Sequence, residues 1–395
     1  MNSYQVLIFL SGLVIFSYLF DLFARRTRLP SVLMLLAVGI GLRALTDEWG
    51  RSVPQLDIIL PTLGNVGLIL IVFEGALDLE YAPGKRRLIR KAFGSSIGLL
   101  LLTTAAIAWI LHELTGAGLH QCLSNAVPLS VISSAVAIPS ASGLAKDDRE
   151  FVVYESSFSD ILGIVLFDFV VSNERFDVLA FARLGGDLLG VVLLSALFSL
   201  ALLWLVGRIQ HHVKFFLILA IVVLLYGVGK IFHFSSLVLV LGFGLFLANV
   251  HQMPFNWIRR HFVYERLDHD LEQFHSLSRE SAFLIRTFFF VLFGYSVVAK
   301  ELVDRDAGMI CLALLGATYL LRAIYLKTAV RGPLSPLLFL TPRGLISILL
   351  FLSLPEAFRI PQVNMPLLFM IVLGSCLVMA IGLVLSGKPP KAEAE

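Results

Sequence analysis

Glu155 and Asp160 bracket the stretch Glu155-Ser-Ser-Phe-Ser-Asp160, inside a run otherwise apolar enough for the interior of a lipid bilayer. A helix beginning near Glu150 lifts Asp160 about 15 Å along its axis, close to the middle of a hydrocarbon core roughly 30 Å thick. A carboxylate at that depth is expensive and is kept where it meets water or partners. Its default chemistry is reversible binding of a proton or a cation, against the plainer alternative of a polar group satisfied by neighbouring helices. At 100° per residue the two acids differ by about 140° around the helix, so they need not share one task. Arg343, in a second apolar run, does not readily discharge and requires an acid or a wet cavity. The expected division makes Glu155 a structural partner of Arg343 and Asp160 the titrating group. Asp168, a further two turns along, either lines an access path or reaches for the membrane surface.

These residues must be held by a membrane-embedded framework. The chain has 395 residues, 58% of them hydrophobic and only 15% charged, and apolar runs recur from end to end. The pattern reads as about thirteen spans: 4–22, 30–45, 58–79, 92–112, 121–144, 150–172, 184–207, 213–232, 234–250, 281–299, 307–326, 334–354 and 363–386. The net charge of +3 forms no continuous basic face, which argues against a nucleic-acid partner. Cys122, Cys311 and Cys376 lack metal-ligand spacing and read as small buried side chains. No cofactor motif is present. Glu74, Asp78 and His112 sit near span ends without a nucleophile and base between them, so an enzyme is not expected.

Alternate connections, with the tail, hold 20 Lys and Arg; the other connections hold 8, and Arg286, Arg322 and Arg343 remain within spans. The excess places the N-terminus outside and the C-terminus in the cytoplasm. Residues 254–280 read as a cytoplasmic amphipathic linker lying at the lipid interface, and 387–395 as a short tail.

The fifth span carries Pro128 and Pro139 around Ser133-Ser-Ala-Val-Ala-Ile138, and the twelfth carries Pro336 and then Thr341-Pro-Arg-Gly344. Proline removes an N–H donor and glycine relaxes the backbone, so both spans are expected to break near the membrane centre. Their separation fits two inverted six-span repeats, 1–172 and 213–386, joined by the span 184–207. The expected fold is therefore an all-α polytopic membrane protein whose broken helices 5 and 12 cross near the midplane.

Four stretches carry a resemblance: Phe73-Glu-Gly-Ala-Leu-Asp78, Glu155-Ser-Ser-Phe-Ser-Asp160, Arg286-Thr-Phe-Phe-Phe-Val-Leu-Phe-Gly294 and Pro342-Arg-Gly344. In this order, on these spans, they make the chain resemble the monovalent cation:proton antiporters, the sodium/proton exchanger family, along nearly its whole length. The resemblance implies that Asp160 matches the family's ion-binding aspartate. It also implies that Glu155 and Arg343 match the pair joining the sixth span to the broken twelfth. It further implies a homodimer, an elevator-like division of the helices and, for a bacterial chain, residence in the inner membrane. Glu74, Asp168 and Arg286 are the other intramembrane candidates.

The sequence departs from the family in two places. Ser133-Ser134-Ala135 stands where relatives commonly have Thr-Asp-Pro, and Ser159 precedes Asp160 where relatives have Asn or Asp. One carboxylate is left where many relatives place two. Ser133, Ser134 and Ser159 can supply oxygens to a monovalent cation at Asp160, or can simply bond neighbouring helices. The expected activity is exchange of Na⁺, Li⁺ or K⁺ for a proton, electroneutrally, serving cytoplasmic pH homeostasis. The alternatives are a same-fold carrier of another solute and a membrane sensor that does not transport.

Overall fold

The computed structural model describes residues 3–27, 30–48, 56–79, 83–174, 176–208, 215–232, 234–252, 267–298, 302, 304–330 and 334–386, and among these it contains helices and no strand. In chain order the helices are α1 Ser3–Thr27, α2 Ser31–Glu48, α3 Leu56–Leu77, α4 Arg86–Thr115, α5 Leu119–Ser130, α6 Ser134–Ser140 and α7 Lys146–Ser172. They continue with α8 Val178–Arg208, α9 Phe215–Ile231, α10 Ser236–Ala248, α11 Leu267–Ser296, α12 Arg305–Tyr325, α13 Leu345–Leu352 and α14 Met365–Leu385. Five stretches are long and apolar enough to cross a membrane: Arg86–Thr115, Leu119–Ser140, Val178–Leu205, Arg305–Val330 and Met365–Leu385. Four shorter apolar helices accompany them, at Ser11–Phe23, Thr62–Leu77, Phe216–Ile231 and Ser236–Ala248. The chain is thus an all-α polytopic membrane protein.

The helices gather into two compact units, each discontinuous in sequence. The first comprises Met1–Gly64, Arg87–Gly163 and Leu284–Glu395. Its interior is built by close backbone approach and aromatic filling. Gly39 of α2 meets the α11 backbone at Val291, Gly294 and Tyr295, an approach with no room for a side chain. Phe289, Phe293 and Phe369 stack beside it, with centroids 6.2 and 5.6 Å apart. Most of the phenylalanines in the Arg286–Gly294 stretch therefore serve packing: Phe289, Phe290 and Phe293 are fully buried.

The second unit comprises Asn65–Arg86 and Ile164–Phe283. The α8 hydroxyl of Ser195 donates to the carbonyl of Leu239 in α10 at 3.0 Å, and Phe73 stacks on Phe243 at 5.9 Å. The opposite face of α8 exposes Leu189, Val192, Leu193 and Leu197, spaced as one helical stripe, as a lipid-facing helix requires. Asp78, just beyond α3, accepts from Arg279 at 2.7 Å and bonds His275 at 2.8 Å.

The linker expected over 254–280 is met only in part. Residues 254–266 lie outside the described residues, and 267–280 form the first turns of α11, which runs unbroken into the predicted tenth span. The predicted tail, 387–395, also lies outside them.

Candidate ion-binding site

The site lies within the first unit, where two spans lose their helical form. Pro128 sits in the last turn of α5, and the chain then runs extended through Val131, φ −70° and ψ 131°, to Ser133, φ −78° and ψ 116°, before α6 begins. The second break follows a turn at 335–339 and occupies 340–344 ahead of α13. Pro336 and Pro342 remove the donors that would have continued a helix there.

The extended stretches are joined main chain to main chain: the Ser133 N–H donates to the carbonyl of Pro342 at 2.9 Å. Gly344 makes this crossing possible, because a Cβ at that position would stand 2.5 Å from Ser133 Oγ and 2.8 Å from Ser133 Cβ. The broken fifth and twelfth spans read from the prolines are both present, and they meet.

Helix α7 is laid against the first break. Ser159 Oγ accepts the N–H of Ile132 at 2.9 Å, and Asp160 Oδ2 accepts the N–H of Ser134 at 3.1 Å. Two adjacent polar side chains of α7 thus satisfy backbone donors that unwinding exposed. Asp160 is buried, at 7% exposure, and Ser133 and Ser159 are buried beside it. Ser134 reaches Asp160 through its backbone N–H, not its hydroxyl.

Glu155 is buried a turn and a half earlier, and its partner differs from the expected one. Arg322 of α12 grips it in a bidentate pair, Nη2 to Oε2 at 2.7 Å and Nη1 to Oε1 at 3.2 Å, while Ser95 Oγ of α4 donates to Oε1 at 2.6 Å. The Nε of Arg322 donates to the Leu337 carbonyl at 2.9 Å, tying the pair to the turn before the second break. Arg343 instead donates from Nη1 to the Val131 carbonyl and to Thr341 Oγ1, each at 3.2 Å, and its backbone N–H donates to Ser375 Oγ at 2.9 Å. The expected Glu155–Arg343 pair is therefore corrected to Glu155–Arg322. Arg343 belongs to the unwound segment itself, whereas Glu155 is turned toward α4 and α12.

The remaining candidates are not gathered here. Glu74 is buried on α3 in the second unit, and Asp168, on the part of α7 in that unit, takes a hydrogen bond from Ser235 Oγ. Arg286 is half-buried on α11 in the first unit. Sequence reasoning passed over Arg322 and Ser95. Arg322 carried a signal, a lone charge in a predicted apolar span; Ser95 carried none. Cys122, Cys311 and Cys376 are free and buried, as expected.

A buried acid at crossed, unwound segments is the arrangement of an ion carrier, and a sequence profile for the sodium/hydrogen exchanger transmembrane region matches residues 11–386. The chain belongs to the sodium/hydrogen exchanger family. It is a transporter-family membrane protein. No curated protein sequence matches it. Its fold is similar to that of the sodium proton antiporter MjNhaP1 from Methanocaldococcus jannaschii at pH 8, with a TM-score of 0.72 and 18% identity over 98% of this chain and 100% of that one. An electron-microscopy structure of the same antiporter gives a TM-score of 0.66 and 18% identity, covering 98% of this chain and 96% of that one.

Proposed function

We propose that this family member exchanges a monovalent cation, Na⁺, Li⁺ or K⁺, for a proton at Asp160. The carrying observation is that Asp160 is buried at the break and bonded to a main-chain N–H, while the neighbouring acid, Glu155, is neutralised by Arg322. One exchangeable carboxylate supports competition between one cation and one proton, hence electroneutral exchange. Ser133 and Ser159, with carbonyls of the unwound segments, supply further oxygens of the kind a monovalent cation accepts. The empty, charged carboxylate crosses badly because a buried ion carries a desolvation penalty of several kcal/mol. That penalty couples the two half-cycles.

The same reading includes two inverted repeats, 1–172 and 213–386, a homodimer, an outside N-terminus and an inner-membrane location. The excess of Lys and Arg in alternate connections supports the orientation.

The test is cation-induced collapse of a preformed proton gradient in inverted vesicles, comparing Na⁺, Li⁺ and K⁺. Dissipation by at least one cation is expected, falling to background in Asp160→Asn. Because protons compete for the same carboxylate, the apparent KM for the cation rises on acidification, by up to about tenfold per pH unit below the site's apparent pKa. A response that persists in Asp160→Asn refutes the site. No response to any cation between pH 6 and 9 in inserted protein would favour another solute or a sensor. A current that reverses with membrane potential under symmetric ion gradients refutes electroneutrality.

A further inference from the structure

Beside the break, wholly within the first unit, lies a small cavity with about 10 Å³ of space open to the centre of a water-sized particle, lined by Thr103, Ser159, Thr318, Thr341, Arg322 and Arg343 among others. No carboxylate lines it. The hydroxyls of Ser130 and Thr318 give their protons to the carbonyls of Ala126 and Leu314, so the donors left to face the cavity come from the arginines, Thr103 and Ser159. Arg343 is 2% exposed, and both N–H bonds of Nη1 are spent on Val131 and Thr341. Its Nε–H and the two Nη2–H groups meet no acceptor among the described residues, and it forms no ion pair there. Thr103 Oγ1, on α4 and buried, has no partner among those residues either. Ser159 Oγ accepts from Ile132, which leaves its own proton to give.

A buried guanidinium without a carboxylate is costly, and three unspent N–H donors exceed what a single water can accept. A monatomic anion accepts from every side. The volume admits about one small particle.

We propose that this cavity binds a single monatomic anion of chloride's class, held by Arg343, Arg322 and the hydroxyls of Thr103 and Ser159. The site also has a consequence for the cycle, which rests on the antiport reading. When Asp160 carries a proton or a cation, Glu155, Arg322 and Arg343 leave one positive charge in the core, and the anion cancels it. Anion binding thereby favours the loaded carrier over the empty one.

Thermal unfolding of the purified full chain in detergent tests the binding apart from transport. The comparison is sodium chloride against sodium gluconate at equal ionic strength. Saturating chloride is expected to raise the unfolding midpoint by about 2 °C or more. Bromide should act similarly, and sulfate should not. Thr103→Ser keeps the shift, whereas Thr103→Val raises half-saturating chloride about tenfold through loss of one donor to an ion. Equal midpoints in chloride and gluconate for the native protein overturn the proposal, since the cavity then holds water alone. An unchanged chloride response in Thr103→Val also overturns it. Should Thr103→Val fail to fold, crystals grown in bromide decide: an anomalous peak beside Arg343 supports the site, and an empty cavity overturns it. None of these readouts depends on Asp160, so a failure of the antiport reading remains distinguishable.

Discussion

Glu155 and Asp160 occupy one helix, one and a half turns apart, and both are buried, yet their surroundings are built on different plans. Around Glu155, a bidentate guanidinium and a serine hydroxyl compensate the charge with side chains from α12 and α4. Around Asp160, the partner supplied by the break is a main-chain N–H, weaker than a charge and fixed in direction. The first arrangement meets a carboxylate with a guanidinium and a hydroxyl in fixed geometry. The second meets the carboxylate with the backbone of the break itself. The contrast teaches that burial alone does not distinguish the two acids; what distinguishes them is the kind of partner each receives, charged and hydroxyl side chains at Glu155 and a main-chain N–H at Asp160.

The sharpest way to break this comparison is to remove the cation from the anchored acid. Arg322→Ala should destabilise the fold by about 3–5 kcal/mol, because Glu155 is left buried and unpaired. Asp160→Asn should keep the native unfolding midpoint or raise it while abolishing exchange. If Asp160→Asn unfolds as readily as Arg322→Ala, the two acids are not different in kind.

Next in size is Gly344→Ala. It drives a methyl group against Ser133 and should cost about 1–3 kcal/mol, with slowed transport, read by thermal unfolding and vesicle assay. Ser159→Ala follows, at about 1–2 kcal/mol, since it orphans the buried N–H of Ile132. The smallest effect is the most discriminating. A double-mutant cycle between Glu155 and Arg343 should give a coupling under about 0.5 kcal/mol, whereas the Glu155–Arg322 cycle should exceed about 1 kcal/mol. Reversed magnitudes would restore the pairing first expected from sequence.

That reversal of partners shows where sequence reading stops. The positions of both breaks were legible, because Pro128, Pro336, Pro342 and Gly344 act on their own backbone and need no tertiary information. Asp160 was legible for a similar reason: a carboxylate in an apolar run declares its own cost. The partner of Glu155 was not. Three arginines lay within predicted spans, and sequence gives each a height along its helix but not the helix it will face. Arg343 was the natural choice because it sat in a broken span, yet its Nη1 is turned to the carbonyl that the other break exposes. The continuity of α11 was obscured for the opposite reason. Its charged first turns differ in composition from its apolar remainder, but helical hydrogen bonding is indifferent to that change.

The bond from Ser133 to Pro342 has one more implication. A residue with no N–H to offer can only receive, so this contact between the two breaks has a fixed polarity and cannot be exchanged for its mirror. The two unwound segments are therefore clasped like the halves of a buckle. What looks in the sequence like a pair of weak points is, in the folded chain, a single joint, and the carboxylate of Asp160 is fastened to the residue beside it.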